Sequence, residues 1–185
     1  MKKLSLIFIF FYFILISKTS GQSFTQSTGV GAGISFGTGY EYHHVRTGSS
    51  GIRIIGTHNF TESFKISAAF TFFLPNREDF YDGTRSSSLW MVDAEGQYFL
   101  YSLDKFRFYA LGGLSTTGII SNYKGESPDL YPDYSDQAIG LNLGAGANLH
   151  FNETVFFFGE MKYVVGIYNQ LIASVGIIMN LDLFR

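Results

Sequence analysis

Eight charged side chains interrupt stretches in which apolar residues occupy every second position. Four are basic and four are acidic, and all lie between the apolar positions. In a confined interior such charges must pair, because an unpaired buried ion is strongly destabilising. The sequence does not specify which base meets which acid. We therefore expect one internal charge network formed by Arg53, Lys65, Asp93, Glu95, Arg107, Glu160, Lys162 and Asp182.

Acidic side chains and tyrosines are interleaved in the segment 121–137, which Pro128 and Pro132 stiffen. Spaced carboxylates could hold a divalent cation that bridges phosphate groups, and tyrosines suit contact with a glycan or a protein. The alternative, which we favour, is an ordinary solvated surface loop. The candidate contact residues are Tyr123, Glu126, Asp129, Tyr131, Asp133, Tyr134 and Asp136.

The remaining motifs, a histidine pair and two glycine-rich stretches, are better explained without a chemical role. The sequence therefore predicts no catalytic residue, no metal site and no cofactor. The pair His43 and His44 could ligate a metal, but we favour a solvated loop. The glycine-rich stretches 29–33 and 144–146 lack the spacing of a dinucleotide-binding fingerprint. Glycines inside strands are better explained by close packing in a confined interior.

The first residues have the pattern of an export signal. Lys2 and Lys3 precede an apolar run over 4–16, and small residues at 19–21 suit cleavage before Gln22. We expect a signal peptide at 1–21 and one mature domain at 22–185; a retained helical anchor is the alternative. The absence of cysteine excludes disulfides and thiolate metal sites. A net charge of −2 provides no electrostatic footprint for nucleic acid.

Period-two alternation runs through most of the remaining chain and is longest near the end. In 171–183 the odd positions are all apolar, whereas the even positions include Ser174, Gly176, Asn180 and Asp182. Alternation over about ten to thirteen residues predicts strands longer than those of most soluble proteins. Eight such segments are present, at 30–42, 51–60, 64–74, 88–100, 106–119, 138–149, 154–165 and 171–184.

The connections predict an all-β, eight-stranded, antiparallel up-and-down transmembrane barrel. Short connections at 61–63, 102–105 and 151–153 alternate with longer ones, and an even strand number returns both termini to one end. The longer connections are predicted at 43–50, 75–87 and 121–137, with a modest one at 166–170.

Alternation alone does not show which face is inside, so a soluble lipocalin-like barrel is the competing architecture. The polar face is rich in Gly, Ser, Thr and Asn and carries few charges, as a narrow lumen requires. The apolar face ends in aromatic residues, which suits the two interfacial girdles of a membrane barrel. These aromatic residues are Tyr40, Tyr42, Trp90, Tyr98, Phe106 and Tyr163.

The chain resembles the small OmpA/OmpX-type outer-membrane β-barrel family. The resemblance lies in the strand number, the glycine-alternating segment 29–40, the segment 106–114 and the final amphipathic strand. It implies an integral protein of a Gram-negative outer membrane that assembles through the barrel-insertion machinery. Barrels of this family commonly end on an aromatic residue that this machinery reads, whereas here Phe184 precedes Arg185.

The function expected from these observations is a structural or surface-interaction role, with a lumen plugged by small residues and paired charges. A narrow passive pore is the first alternative, and a membrane-embedded lipid-modifying enzyme is the second. The expected partners are outer-membrane lipids and lipopolysaccharide, with an extracellular ligand bound through the long loops. We expect a monomer that binds no nucleic acid.

Overall fold

The computed structural model describes most of the mature chain predicted above. The segment 1–21, Tyr40, the pair His43 and His44, and Asp182 lie outside the described residues. The described ranges are 27–39, 41–42, 45–47, 49–80, 83–125, 132–152 and 154–181.

Eight antiparallel strands close into a barrel, which confirms the predicted fold class. Around the ring the order is β1-β10-β9-β8-β7-β6-β5-β4, and β2 pairs only with β3. Within the described ranges, no helix is long and apolar enough to cross a membrane. The strands are β1 Ser27–Gly37, β2 Glu41–Tyr42, β3 Val45–Arg46, β4 Ser50–Asn59, β5 Phe64–Phe80, β6 Gly83–Leu103, β7 Phe106–Gly125, β8 Tyr134–His150, β9 Val155–Gly166 and β10 Gln170–Asn180.

The apolar face of the strands points outward and the polar face points into the lumen. In β4, Ile52 and Ile54 are 58% and 61% exposed, whereas Arg53 between them is fully buried. The outward aromatic residues include Tyr98, Phe106 and Tyr163. A soluble barrel would bury its apolar face, so this arrangement is that of a barrel surrounded by lipid.

Two of the predicted long loops are largely strand. The β5–β6 ladder continues from the pair Asn76 and Ser87 to the pair Phe80 and Gly83, so the predicted loop 75–87 is a hairpin. Likewise, β7 reaches Gly125 and β8 begins at Tyr134, which removes most of the predicted loop 121–137. Both hairpins lie beyond the apolar band, where neither face must be apolar, so they carry no alternation in sequence.

Two residues explain local departures from the expected strands. Pro75 lies where the register shifts between Phe73 and Asn76, and such a bulge tolerates a residue that has no backbone donor. The first strand ends at Gly37 rather than at 42, because Gly39 adopts a positive φ of 73° that turns the chain.

Several glycines of the lumen are required by close packing, as the sequence predicted. A Cβ atom on Gly113 would overlap the carbonyl oxygen of Ala94, and one on Gly144 would overlap that of Met161. On Gly146, a Cβ atom would lie 2.5 Å from the ring of Tyr109. Gly113 and Gly144 therefore leave room for the backbone of the neighbouring strand, and Gly146 leaves room for the ring of Tyr109.

The short turns lie at one end of the barrel, together with the first and last described residues, Ser27 and Leu181, and we assign this end to the periplasm. A cysteine at the exposed position 124, in the extended β7, should react with a membrane-impermeant maleimide on intact cells. A cysteine at position 105, in a short turn, should react only after the outer membrane is opened. The wild-type chain has no cysteine and is the blank. Labelling of position 105 alone on intact cells would reverse this orientation.

Candidate functional site

Arg53 is the centre of a buried ion network in the middle of the lumen. Its Nη1 lies 2.8 Å from Oδ2 of Asp93, and its Nη2 lies 3.0 Å from Oε1 of Glu160. A longer contact of 3.5 Å joins Nη2 to Oε2 of Glu95. Nη1 also donates to the hydroxyl of Thr71 at 3.3 Å. One guanidinium therefore contacts all three carboxylates that are buried among the described residues.

Lys162 is the second base of the network. Its Nζ lies 2.7 Å from Oδ2 of Asp93 and 2.7 Å from Oε1 of Glu95. The amide of Asn142 donates to the same two carboxylates, at 3.0 Å to Asp93 and 2.8 Å to Glu95. Asp93 and Glu95 would repel each other without these donors, so Lys162 and Asn142 hold them together.

The network crosses the lumen, because its members come from strands that are not neighbours in the ring. Arg53 lies on β4, the two acids Asp93 and Glu95 lie on β6, and Glu160 and Lys162 lie on β9. Each member occupies an inward position of its strand, as the period-two pattern requires. The structure thus brings together five of the eight charged residues named from the sequence.

Lys65 differs from the sequence expectation. It is buried, but within the described part of the chain it forms no ion pair with an acid. Its Nζ instead lies 5.4, 5.3 and 5.4 Å from the ring centroids of Phe99, Tyr109 and Phe156. The hydroxyl of Tyr109 donates to Glu160 at 3.2 Å, and Glu160 attracts Lys65 electrostatically. Lys65 is therefore held by cation–π contacts, and its attraction to Glu160, the third acid of the network, acts through space.

Arg107 also lies outside the network. Its Cζ is 3.9 Å from the ring centroid of Phe99, and its Nη2 donates to the backbone carbonyl of Glu62 in the short turn. Among the described residues, Arg107 forms no ion pair with an acid and instead stacks on Phe99 at the end of the lumen. Asp182, the eighth residue named from the sequence, lies outside the described residues.

A buried apolar cluster lies on the extracellular side of the network. Phe73 on β5 and Val164 on β9 come from opposite sides of the ring, as do Leu89 on β6 and Ile172 on β10. The cluster therefore spans the lumen. Its members are Phe73, Leu89, Met91, Ile119, Val164, Tyr168 and Ile172.

Sequence reasoning missed this apolar cluster, because the inward positions were expected to be polar throughout. The sequence did contain a signal for this cluster, because several strands have apolar residues at consecutive positions. Such runs occur at 72–74, 89–92, 119–120 and 164–165. A strand that is apolar on both faces packs against apolar neighbours on both sides. In a membrane barrel, one of those sides is the lumen.

The extracellular candidates form hydrogen bonds among themselves. The backbone N–H of Tyr123 donates to Oδ1 of Asp133 at 2.9 Å. Oδ2 of Asp136 accepts from the hydroxyls of Tyr134, at 3.2 Å, and of Tyr168. The hydrogen bond from Tyr168 lowers the pKa of the exposed Asp136 carboxyl. Among the described residues, no group of three or more His, Asp and Glu side chains could hold a metal. The candidates Glu126, Asp129 and Tyr131 lie outside the described residues.

This geometry, a closed eight-stranded ring with polar side chains inside, agrees with the comparison with known families. The model of the outer membrane protein beta-barrel domain family matches residues 11–176. The chain belongs to this family. It is therefore an outer-membrane protein, and the predicted resemblance and localisation are confirmed. No curated protein matches the chain by sequence.

Solved structures of outer-membrane proteins share the fold of this family member. A major outer membrane protein of Thermus thermophilus is 11% identical with a TM-score of 0.63, over 85% of this chain and 100% of that one. Neisserial surface protein A is 15% identical with a TM-score of 0.59, over 83% and 96% of the two chains. Ail, the attachment invasion locus protein of Yersinia pestis, is 13% identical with a TM-score of 0.57, over 84% and 97%.

Proposed function

We propose that this protein is a structural or surface-interaction barrel of the outer membrane, with a lumen that is plugged rather than open. The observation that carries the proposal is the pair of layers that cross the lumen. The apolar cluster forms one layer, and the network of Arg53, Lys162 and three carboxylates forms the next. An ion entering from outside would have to displace packed apolar side chains and then break several ion pairs.

The surface-interaction part of the proposal rests on the hairpins that extend beyond the apolar band. They present polar and charged side chains, among them Arg77, Glu78 and Lys124. Such a surface suits contact with lipopolysaccharide or with an extracellular ligand. Asp133 and Asp136 both accept hydrogen bonds in this region. These bonds favour a rigid surface for contact with a partner over cation binding by the two acids.

The proposal also covers the export and assembly of the chain. A signal peptide at 1–21 would direct export and be removed, and the domain at 22–185 would then be inserted by the barrel-insertion machinery as a monomer. We propose no catalytic residue, cofactor or nucleic-acid partner.

A narrow passive pore is the second candidate, and one observation favours it. Several buried polar atoms of the lumen have no hydrogen-bond partner among the described residues, and such atoms are usually satisfied by water. They include Oε1 of Gln97, Oγ of Ser115, Oγ1 of Thr117 and Oδ1 of Asn148. The lipid-modifying enzyme, the other alternative, has no comparable support in the part of the chain that the structure describes.

Liposome swelling distinguishes the plugged barrel from the pore. Liposomes that contain the refolded protein should swell in an isotonic solution of a small neutral sugar no faster than protein-free liposomes. Heat-dependent migration on gels establishes that the reconstituted protein is folded. Swelling that is fastest for the smallest sugar would favour the pore and contradict the plug.

A further inference from the structure

Tyr168 lies in a connection, whereas the other named members of the apolar cluster lie in strands. The connection joins β9 to β10 and consists of residues 167–169. In this turn Ile167 is 69% exposed and Asn169 is exposed, but Tyr168 between them is only 3% exposed. The ring of Tyr168 therefore enters the lumen from its extracellular mouth and packs on the cluster.

Among the described residues, the strand ladders stop short of this turn. The ladder between β9 and β10 ends at the pair Val164 and Gln170, and the ladder between β8 and β9 ends at the pair Gly140 and Gly166. The turn is closed locally instead, because the backbone N–H of Gly166 donates to Oδ1 of Asn169 at 2.7 Å. Movement of the turn about its two ends would therefore break no ladder hydrogen bond of the barrel wall.

Side-chain hydrogen bonds fasten the turn to the extended part of β8. The hydroxyl of Tyr168 donates to Oδ2 of Asp136, which lies beyond the last pair between β8 and β9. The hydroxyl of Tyr134 donates to the same oxygen at 3.2 Å and shares a hydrogen bond with Tyr168. Asp136 is exposed, so water competes for its carboxylate and reduces the net strength of these bonds. The ring of Tyr168 is thus buried, whereas the group that holds its hydroxyl faces solvent.

The residues that pack with Tyr168 are held in place by strands. Met91 on β6 is fully buried, and Ile172 on β10 is 1% exposed. Withdrawal of the Tyr168 ring would bring this apolar layer into contact with extracellular water, which is unfavourable and keeps the ring in place most of the time. The ion network around Arg53 contains no residue of the turn, so the same movement leaves it intact.

We propose that Tyr168 and the turn 167–169 form a lid, which opens the extracellular mouth of the lumen while the barrel wall stays closed. In the closed state the ring is buried and its hydroxyl is bound to Asp136, and the open state releases both contacts. The open lid admits small water-soluble molecules as far as the apolar cluster, and the ion network still blocks the passage. This inference rests on the plugged lumen of the proposed function and identifies the part of the plug that moves.

The test uses the full mature chain, refolded in an uncharged maltoside detergent, with a single cysteine as the reporter. Met91→Cys reports on the apolar cluster, and the wild-type chain has no other cysteine. The probe is a methanethiosulfonate that carries a trimethylammonium group, and mass spectrometry follows the rate of modification. With Tyr168 present the reaction should be slow, because it requires the open lid. Tyr168→Phe keeps the ring and removes the hydroxyl, and it should accelerate the reaction by about fivefold or more.

Two controls separate the lid from a general loosening of the barrel. Tyr163→Phe removes the same hydroxyl from the outward face of β9 and should leave the rate at Met91→Cys unchanged. Ile178→Cys reports on a second buried cluster near the periplasmic end, and Tyr168→Phe should not change its rate. Heat-dependent gel migration establishes that each variant is folded. If Met91→Cys does not fold, Leu89→Cys in the same cluster takes its place.

The outcomes distinguish failure of the lid from failure of the plug. A slow reaction at Met91→Cys that Tyr168→Phe does not accelerate would overturn the lid and leave the plug intact. Equal acceleration at Met91→Cys and Ile178→Cys would also overturn the lid, because the whole barrel would have loosened. With Tyr168 present, a rapid reaction at Met91→Cys alone would mean that the mouth is already open, and this too would overturn the lid. A rapid reaction at both reporters would contradict the lid and the plug together.

Discussion

Arg53→Met is expected to lower the free energy of unfolding by about 3–5 kcal/mol, the usual cost of removing one partner from a buried ion network. Arg53 contacts Asp93, Glu95 and Glu160, so the substitution leaves three buried carboxylates with Lys162 and the more distant Lys65. The measurement is urea-induced unfolding of the refolded barrel in detergent, followed by the fluorescence of its single tryptophan.

A second substitution tests whether the loss comes from unbalanced charge. Arg53→Met combined with Glu160→Gln removes one base and neutralises one acid, so the double variant should be more stable than Arg53→Met alone. Lys124→Met, which removes an exposed charge outside the lumen, should change stability by less than about 0.5 kcal/mol. If Arg53→Met were no more destabilising than Lys124→Met, the network would not contribute to stability.

Phe73→Ala should be comparably severe, with an expected loss of about 3–5 kcal/mol. Phe73 is 1% exposed and packs in the apolar cluster that spans the lumen. Its removal leaves a cavity that the surrounding strands, held by their ladder hydrogen bonds, can close only in part. The same urea unfolding experiment measures the effect.

The neighbouring residue is a matched control for Phe73. Phe72 belongs to the same strand and is 38% exposed on the outward face, where detergent or lipid can replace the lost ring. Phe72→Ala should therefore destabilise the barrel clearly less than Phe73→Ala. The reverse order would mean that the apolar cluster is loosely packed and that the proposed plug is weak.

The strands within the membrane could be predicted from the sequence because each has two different environments. Lipid outside and a polar lumen inside impose a period of two, as at Ile52, Arg53 and Ile54 in β4. Beyond the membrane this constraint ends. The pairs from Asn76 and Ser87 to Phe80 and Gly83 depend on hairpin closure, which leaves no periodic pattern, so their strands were assigned to a loop.

The charged residues of the lumen could be named from the sequence, but their partners could not. Pairing depends on strand register and on which strands face each other across the ring. Lys65 illustrates the difference. Its inward position was predictable from the sequence, but its ring partners were not, because Phe99, Tyr109 and Phe156 belong to three further strands. The apolar cluster was missed for a related reason, since inward apolar residues resemble outward ones in sequence.

Single-channel recording in a planar lipid bilayer tests the plugged lumen most directly. Refolded wild-type protein should produce no steady current above that of the detergent-containing buffer alone, because the apolar cluster and the ion network both cross the eight-stranded lumen. Folded insertion is verified on the same preparation by heat-dependent gel migration. Steady, ion-selective single-channel currents from the wild-type barrel would contradict the plug and establish the narrow pore in its place.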